Sequence, residues 1–103
     1  MKTSLKSKKT ASVLKQQLPF LFQKLTNPDE FGFLTIIDID VSIDKKYADV
    51  FIKSLGGKKG FLKRLNALAP KISHELVQIM PFMKKIELRF KQDISAKILD
   101  KLQ

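Results

Sequence analysis

"FLKRLNALAPKISHELVQI", residues 61–79, decides how the rest of the chain is read. Phe61, Leu65, Leu68, Ile72, Leu76 and Ile79 recur at three- and four-residue steps, one apolar stripe along a helical face. Pro70 falls inside that stripe. It has no amide to offer the carbonyl of Asn66, and its ring pushes Ala69 away from helical angles. The spacing therefore predicts two helices that share one buried face, broken at Leu68-Ala69-Pro70-Lys71. Pro81 ends the second helix.

On either side of this pair the periodicity changes from helical to alternating. In "FLTIIDIDVS", residues 33–42, Phe33, Thr35, Ile37, Ile39 and Val41 fall on one face of a strand, and Leu34, Ile36, Asp38 and Asp40 on the other. In "YADVFIKS", residues 47–54, Ala48, Val50 and Ile52 point inward, with Tyr47, Asp49, Phe51 and Lys53 outward. The short link "SIDKK" makes the two an antiparallel hairpin. A third strand, "KKIELRFK", places Ile86, Leu88 and Phe90 inward. "DISAKILDKLQ" forms a last short helix with Asp93 as its cap.

Upstream, Val13, Leu14, Leu18, Leu21, Phe22 and Leu25 have helical spacing. Pro19 predicts a kink near Leu18 or a shortened helix. "NPDEFG" closes the segment with turn formers. Residues 1–11 read as a basic, flexible arm, and residues 12–103 as one domain. The order is helix, strand, strand, broken helix, strand. Its natural arrangement is a two-layer α+β sandwich with a three-stranded sheet on one side and helices on the other.

The chain of 103 residues carries 20 Lys+Arg against 10 Asp+Glu, a net charge of +10. The excess is +4 over residues 1–30, −1 over 31–55 and +7 over 56–103. Such a surface attracts phosphate backbones before other partners. There is no cysteine, which removes disulfides and thiolate metal sites. No apolar run reaches the ~18 residues of a membrane span, and no signal peptide is expected. The expectation is a cytoplasmic protein.

Catalytic readings find little support. His74 is the only histidine and reads as a helix-surface residue. Asp38 and Asp40 share a strand face, but nothing converges on them, so solvation or pairing with lysine is the simpler account. "GGKKG", residues 56–60, lacks the length and the Lys-Ser/Thr ending of a nucleotide loop. No cofactor, metal or small-molecule substrate is expected, and no enzymatic activity.

The element order resembles a KH domain of the bacterial type (type II). Gly57-Lys58-Lys59-Gly60 spells the G-x-x-G with which KH domains clamp a nucleic-acid backbone. In that fold, however, the clamp lies between the halves of the helical pair. Here that position is Leu68-Ala69-Pro70-Lys71. The detailed resemblance is to the ribosome-binding factor A family. It rests on "VSIDKKYADVFIKSLG" (41–56), "LNALAPKISHEL" (65–76) and "IELRF" (86–90), and runs from about Leu14 to about Leu99. The family's Ser-x-Asp turn matches Ser42 and Asp44, its Ala-x-Val-Tyr/Phe matches Ala48, Val50 and Phe51, and its acid-Leu-x-Phe strand matches Glu87, Leu88 and Phe90. The family's Ala-x-Gly at the helix break is replaced by Leu68, Ala69 and Pro70, and its usual proline by Ile86. The resemblance implies a non-catalytic assembly factor of the small ribosomal subunit. It would bind the free 30S subunit or its precursor through 16S rRNA, near the neck and decoding region, and aid maturation of the rRNA 5′ end. A monomer is expected. The competing reading is a general KH-type RNA adaptor with no tie to ribosomes. A third is an interaction protein that meets an acidic protein partner.

The candidate RNA-binding residues form three groups. Lys58, Lys59, Lys63 and Arg64 cluster at the start of the first half-helix, where Gly56, Gly57 and Gly60 expose backbone. Ala69, Pro70 and Lys71 stand at the break. Lys84, Lys85 and Arg89, with Lys91, make a patch near and on the outer sheet face. Each group also has an ordinary reading as solvated cations. Tyr47 and Phe51 either stack bases or pack against a helix or the chain end.

Overall fold

A computed structural model of the chain describes residues 5–92. Helix α1 spans Leu5–Leu25, a single turn α2 spans Pro28–Phe31, and strands β1 and β2 span Phe33–Val41 and Tyr47–Leu55. Helices α3, Phe61–Ala67, and α4, Ala69–Ile79, follow; a 3₁₀ turn at Pro81–Lys85 leads into β3, Glu87–Gln92. The three strands form one sheet in the order β1-β2-β3. β1 and β2 are antiparallel; β3 is parallel to β2, with Tyr47 opposite Glu87 and Ile52 opposite Gln92. Parallel neighbours need a long crossover, and α3–α4 supplies it. The result is the expected two-layer α+β, KH-like fold, with the sheet packed on the helices.

The core lies between the layers. Ala48, Val50 and Ile52 of β2 are fully buried against Leu65, Ile72 and Leu76 of the broken helix and Leu14 and Leu18 of α1. Phe22 of α1 meets Phe90 of β3 with ring centroids 5.8 Å apart, in a tilted pair. Alternation in β2 is as read from the sequence, and Ile86, Leu88 and Phe90 point inward as expected.

Four local expectations are corrected. β1 does not keep one face. Ile36 pairs with Ile52 but Asp38 pairs with Phe51, so Ile37 is an extra residue, a β-bulge. One inserted residue exchanges the faces. Leu34 and Ile36 pack on the core before the bulge and Ile39 and Val41 after it, while Phe33 is left exposed. Second, of the two outcomes expected at Pro19 the shortened helix does not occur, because α1 runs through Pro19 to Leu25. Pro19 and Lys15, the residue whose carbonyl loses its donor, both lie on the exposed side, so the missing amide does not strand a carbonyl in the core. The helix also begins at Leu5, inside the stretch read as an arm, and Thr10 is buried. Third, the stripe of the second half-helix closes on buried Met80, and Ile79 is exposed. Fourth, Lys84 and Lys85 lie in the 3₁₀ turn rather than the third strand. The expected last helix, "DISAKILDKLQ", lies outside the described residues.

The helix break is held in place by one side chain. α3 ends at Ala67 and α4 begins at Ala69, with Leu68 between them. The Leu68 N–H is shared between the carbonyls of Arg64 and Leu65 at 3.2 and 3.0 Å, a tightened last turn, and the Ile72 N–H restarts the ladder on the Leu68 carbonyl at 2.9 Å. Asn66, one residue inside α3, reaches across to β3. Its Nδ2 donates to the Phe90 carbonyl at 2.9 Å, and its Oδ1 accepts from the Phe90 N–H at 2.8 Å. β3 is an edge strand, and this carboxamide occupies its free side as a neighbouring backbone would.

Candidate nucleic-acid interface

The loop at residues 56–60 is an internal brace. The Lys58 N–H donates to the Glu30 carbonyl at 2.8 Å, and the Phe61 N–H to the Lys58 carbonyl at 3.1 Å. Two of the amides that a phosphate would need are therefore already engaged. Gly57 sits against the α2–β1 junction. A Cβ there would lie 2.6 Å from the Phe31 carbonyl oxygen and 3.0 Å from its carbon. Gly32 is its counterpart, because a Cβ on it would meet the Leu55 carbonyl oxygen at 2.5 Å. The close approach of two chain segments accounts for these glycines without any ligand. α3 itself is only 7 residues long, with no side-chain cap.

The side chains of this first group divide. Lys58, Lys59 and Lys63 are exposed and enter no ion pair among the described residues. Arg64 is half-buried and engaged. Its Nε lies 3.1 Å from Glu30 Oε1, and its Nη2 lies 3.4 Å from the Lys59 carbonyl. The Nε–H is not aimed at a partner, so the Glu30 contact is a charge contact rather than a hydrogen bond. Arg64 thus holds α3 to α2 and leaves the set of free cations.

At the helix break, Pro70 and Lys71 are exposed, whereas Ala69 is buried and can present only backbone. The break faces β3 across a shallow cleft lined by Asn66, Ala69, Pro70, Ser73, Glu87 and Arg89, among others. The fold therefore brings Arg89 beside the break, an association the sequence spacing did not suggest. Arg89 is committed there as well. It donates to Asp49 Oδ1 at 2.8 Å, and its guanidinium carbon sits 4.2 Å from the Tyr47 ring centroid. That hydrogen bond raises the guanidinium above its ordinary pKa. Lys91 adds a second contact to Asp49 at 3.2 Å. Tyr47 is thus covered by Arg89 among the described residues. Phe51 is half-buried and lines a cleft with Ala11 and Ser12 of α1.

Lys84 and Lys85 are detached from Arg89 in the 3₁₀ turn, and Lys85 belongs with a group the sequence reading missed. Lys85 lines a cleft with Lys45, Lys46, Phe82 and Ile86 at the end of the β1–β2 hairpin. The signal was present: two lysines in the turn between strands, and a third strand whose entry had to pass them. Only the parallel β2–β3 register places them together.

The acidic residues form no competing centre. Asp38 and Asp40 share a cleft with Lys8 and Lys15 of α1, and the Ile39 N–H donates to Asp38 Oδ1 at 2.9 Å. Among the described residues no three His, Cys, Asp or Glu side chains gather in a way that could hold a metal. Lys24 donates to Glu75 at 2.8 Å, tying α1 to α4 and holding that carboxyl below its ordinary value. No helix among the described residues is long and apolar enough to cross a membrane.

Comparison with known proteins gives one consistent answer. The family model described as "Ribosome-binding factor A" matches residues 6–103. Ribosome-binding factor A of Macrococcus caseolyticus is 31% identical over 97% of this chain and 90% of its own length. That of Shewanella putrefaciens is 34% identical over 87% of this chain and 63% of its own length, so the chain spans less than two thirds of the Shewanella relatives. Among solved structures, ribosome-binding factor A from Thermus thermophilus superposes with a TM-score of 0.72, at 20% identity, over 82% of this chain and 93% of that one. A homology model of the Thermus thermophilus protein, fitted into a cryo-EM map of a 30S–RbfA complex, superposes at 0.70 with 21% identity, over 82% of this chain and 92% of that one.

Proposed function

Because this chain belongs to the ribosome-binding factor A family, we propose that it is a non-catalytic assembly factor of the small ribosomal subunit. It binds the free 30S subunit or its precursor through 16S rRNA and assists maturation of the rRNA 5′ end. It acts in the cytoplasm as a monomer and needs no cofactor. The observation that carries this reading is the family match over residues 6–103, and the net charge of +10 supplies the physical means.

The work is binding, so the chemistry is placement of charge. Phosphates are met by cations that have no internal partner, and each such contact releases counterions. Lys58, Lys59 and Lys63 on the α3 side and Lys71 beside Pro70 meet that condition. Arg64 and Arg89 do not; they fix the surface on which the others stand. Pro70 takes the place of the family's glycine. It keeps the helix broken but puts a ring where glycine would let a phosphate approach the backbone. Contact at the break therefore falls to the Lys71 side chain and to water-bridged amides. A rigid sheet behind the helices keeps these cations at fixed spacing, so folded rRNA is selected over random RNA by shape.

Sedimentation of a cell extract tests the reading. The protein is expected with free small subunits and absent from translating ribosomes, and its depletion should let precursor 16S rRNA accumulate. A distribution over many RNAs would support the general adaptor instead. Migration indifferent to ribonuclease would point to an acidic protein partner.

A further inference from the structure

The hairpin end of the domain carries a cation and aromatic group that the helix-break surface does not use. Its frame is stiff. The Ser42 N–H donates to the Tyr47 carbonyl at 2.9 Å, and the Lys45 N–H to the Ser42 carbonyl at 2.9 Å. Lys45 takes the left-handed conformation, φ 60°. Ser42 Oγ donates to Asp44 Oδ1 at 2.7 Å, and the Lys46 N–H reaches the same carboxylate at 3.1 Å. The one acid of the turn is thus folded back on its own backbone. The Glu87 N–H donates to the Lys46 carbonyl at 2.8 Å and fixes the 3₁₀ turn beside the hairpin.

Within that turn Met83 is buried, at 1% exposure, and forces its neighbour Phe82 outward to 52%. Phe82 then stands in a cleft of about 460 Å³ with Lys45, Lys46 and Lys85, and Asp44 and Ile86 complete its lining. The Asp44 carboxylate is engaged by Ser42 and the Lys46 N–H, and Lys84 adjoins Lys85 in the chain. Ile43 is exposed on the same turn. None of the four lysines enters an ion pair among the described residues.

We propose that this cleft binds an unpaired RNA segment, with a base stacked on Phe82 and its flanking phosphates on Lys45, Lys46 and Lys85. An open ring face set among cations matches a splayed nucleotide, which offers a flat π-surface and a phosphate on either side. A duplex keeps its base faces stacked inside and offers only phosphate. The cleft is in the size range of sites that take one small organic group. The site rests on the reading of the chain as an rRNA-binding factor and adds a second contact, for single strands, at the end of the sheet.

The test uses the full chain and an oligoadenylate carrying one 2-aminopurine. The unaltered protein should quench its fluorescence on binding. Phe82→Leu keeps an apolar side chain and should lose about five-fold or more in affinity for the oligonucleotide, with no change for an RNA duplex. Lys46→Ser and Lys85→Ser should each lower the salt slope by about 0.7. If Phe82→Leu binds the oligonucleotide as the parent does, or if the base probe is not quenched, the proposal is overturned. Retention of polyglutamate in place of RNA would overturn it in favour of a protein ligand. Binding to free 30S subunits is measured in parallel. Phe82-dependent oligonucleotide binding by a protein that ignores 30S subunits would sustain this site while refuting the assembly role.

Discussion

Replacing Gly57 with alanine separates a brace from a phosphate clamp. The added methyl carbon would lie 2.6 Å from the Phe31 carbonyl oxygen and 3.0 Å from its carbon. Neither atom belongs to a flexible side chain. Ser54 Oγ donates to that same carbonyl at 2.6 Å, and the Lys58 N–H closes the other side on the Glu30 carbonyl at 2.8 Å. Relief requires the loop to move away and lose the Lys58–Glu30 bond. That bond is worth about 1 kcal/mol net, and overpacking adds about 1–3 kcal/mol. We expect a loss of about 2–4 kcal/mol. With a urea slope of about 1.5 kcal/mol/M, the midpoint falls by roughly 1.5–2.5 M at unchanged slope. RNA affinity per folded molecule should stay within about twofold, because the Lys58 and Phe61 amides are engaged with protein. Lys59→Ala should behave oppositely, with unchanged stability and a salt slope lower by about one unit. A Gly57→Ala protein as stable as the parent but deficient in RNA binding would refute the assignment and restore the loop as a clamp.

Three further outcomes follow from the same contacts. Asn66→Ala leaves both edge-facing groups of Phe90 without their partner and should cost about 1–3 kcal/mol, read by urea denaturation, with amide exchange faster at Phe90; unchanged exchange would dissociate the helix break from β3. Lys71→Ala should reduce the salt slope of RNA binding while Arg89→Ala leaves it nearly unaltered, since Asp49 and Tyr47 already hold that guanidinium; equal losses in an anisotropy titration would contradict the division of free from committed cations. Asp44 is held below its ordinary 3.8 first by the Ser42 hydroxyl and then by the Lys46 amide. The hairpin turn therefore keeps this contribution above that ordinary value and loses it as pH falls through the lowered one. An NMR titration of the Lys46 amide should show a midpoint under 3.8 that moves up in Ser42→Ala, and an unmoved midpoint would remove the serine as cause.

Much of this architecture is legible in the residues because its periods are clean. Ala48, Val50 and Ile52 alternate without interruption, and Leu65, Ile72 and Leu76 keep helical spacing on both sides of Pro70. What escaped the sequence depends on single residues or distant partners. The bulge at Ile37 is one insertion in a strand that already reads Ile36-Ile37, and alternation cannot say which of the two is extra. Pro19 fails to end its helix because the carbonyl it orphans lies on the exposed side. Asn66 looks like any helix-surface amide until β3 arrives beside it from 24 residues later. Arg64 and Arg89 look as available as the lysines until Glu30 and Asp49 are placed against them. Lys45 and Lys46 join Lys85 only through the parallel strand register. Cation identity is written in the sequence, but cation availability is a property of the fold.

If free lysines on a braced KH-like frame carry the binding to rRNA, the affinity of the purified protein for isolated 30S subunits must depend steeply on salt. Titrated across a salt series, the protein is expected to bind tightly at low salt, with a log–log slope of several units. The slope should become about three units shallower when Lys58, Lys59 and Lys71 are all replaced by alanine. A slope near zero, or a triple variant indistinguishable from the parent, would contradict that role for the lysines.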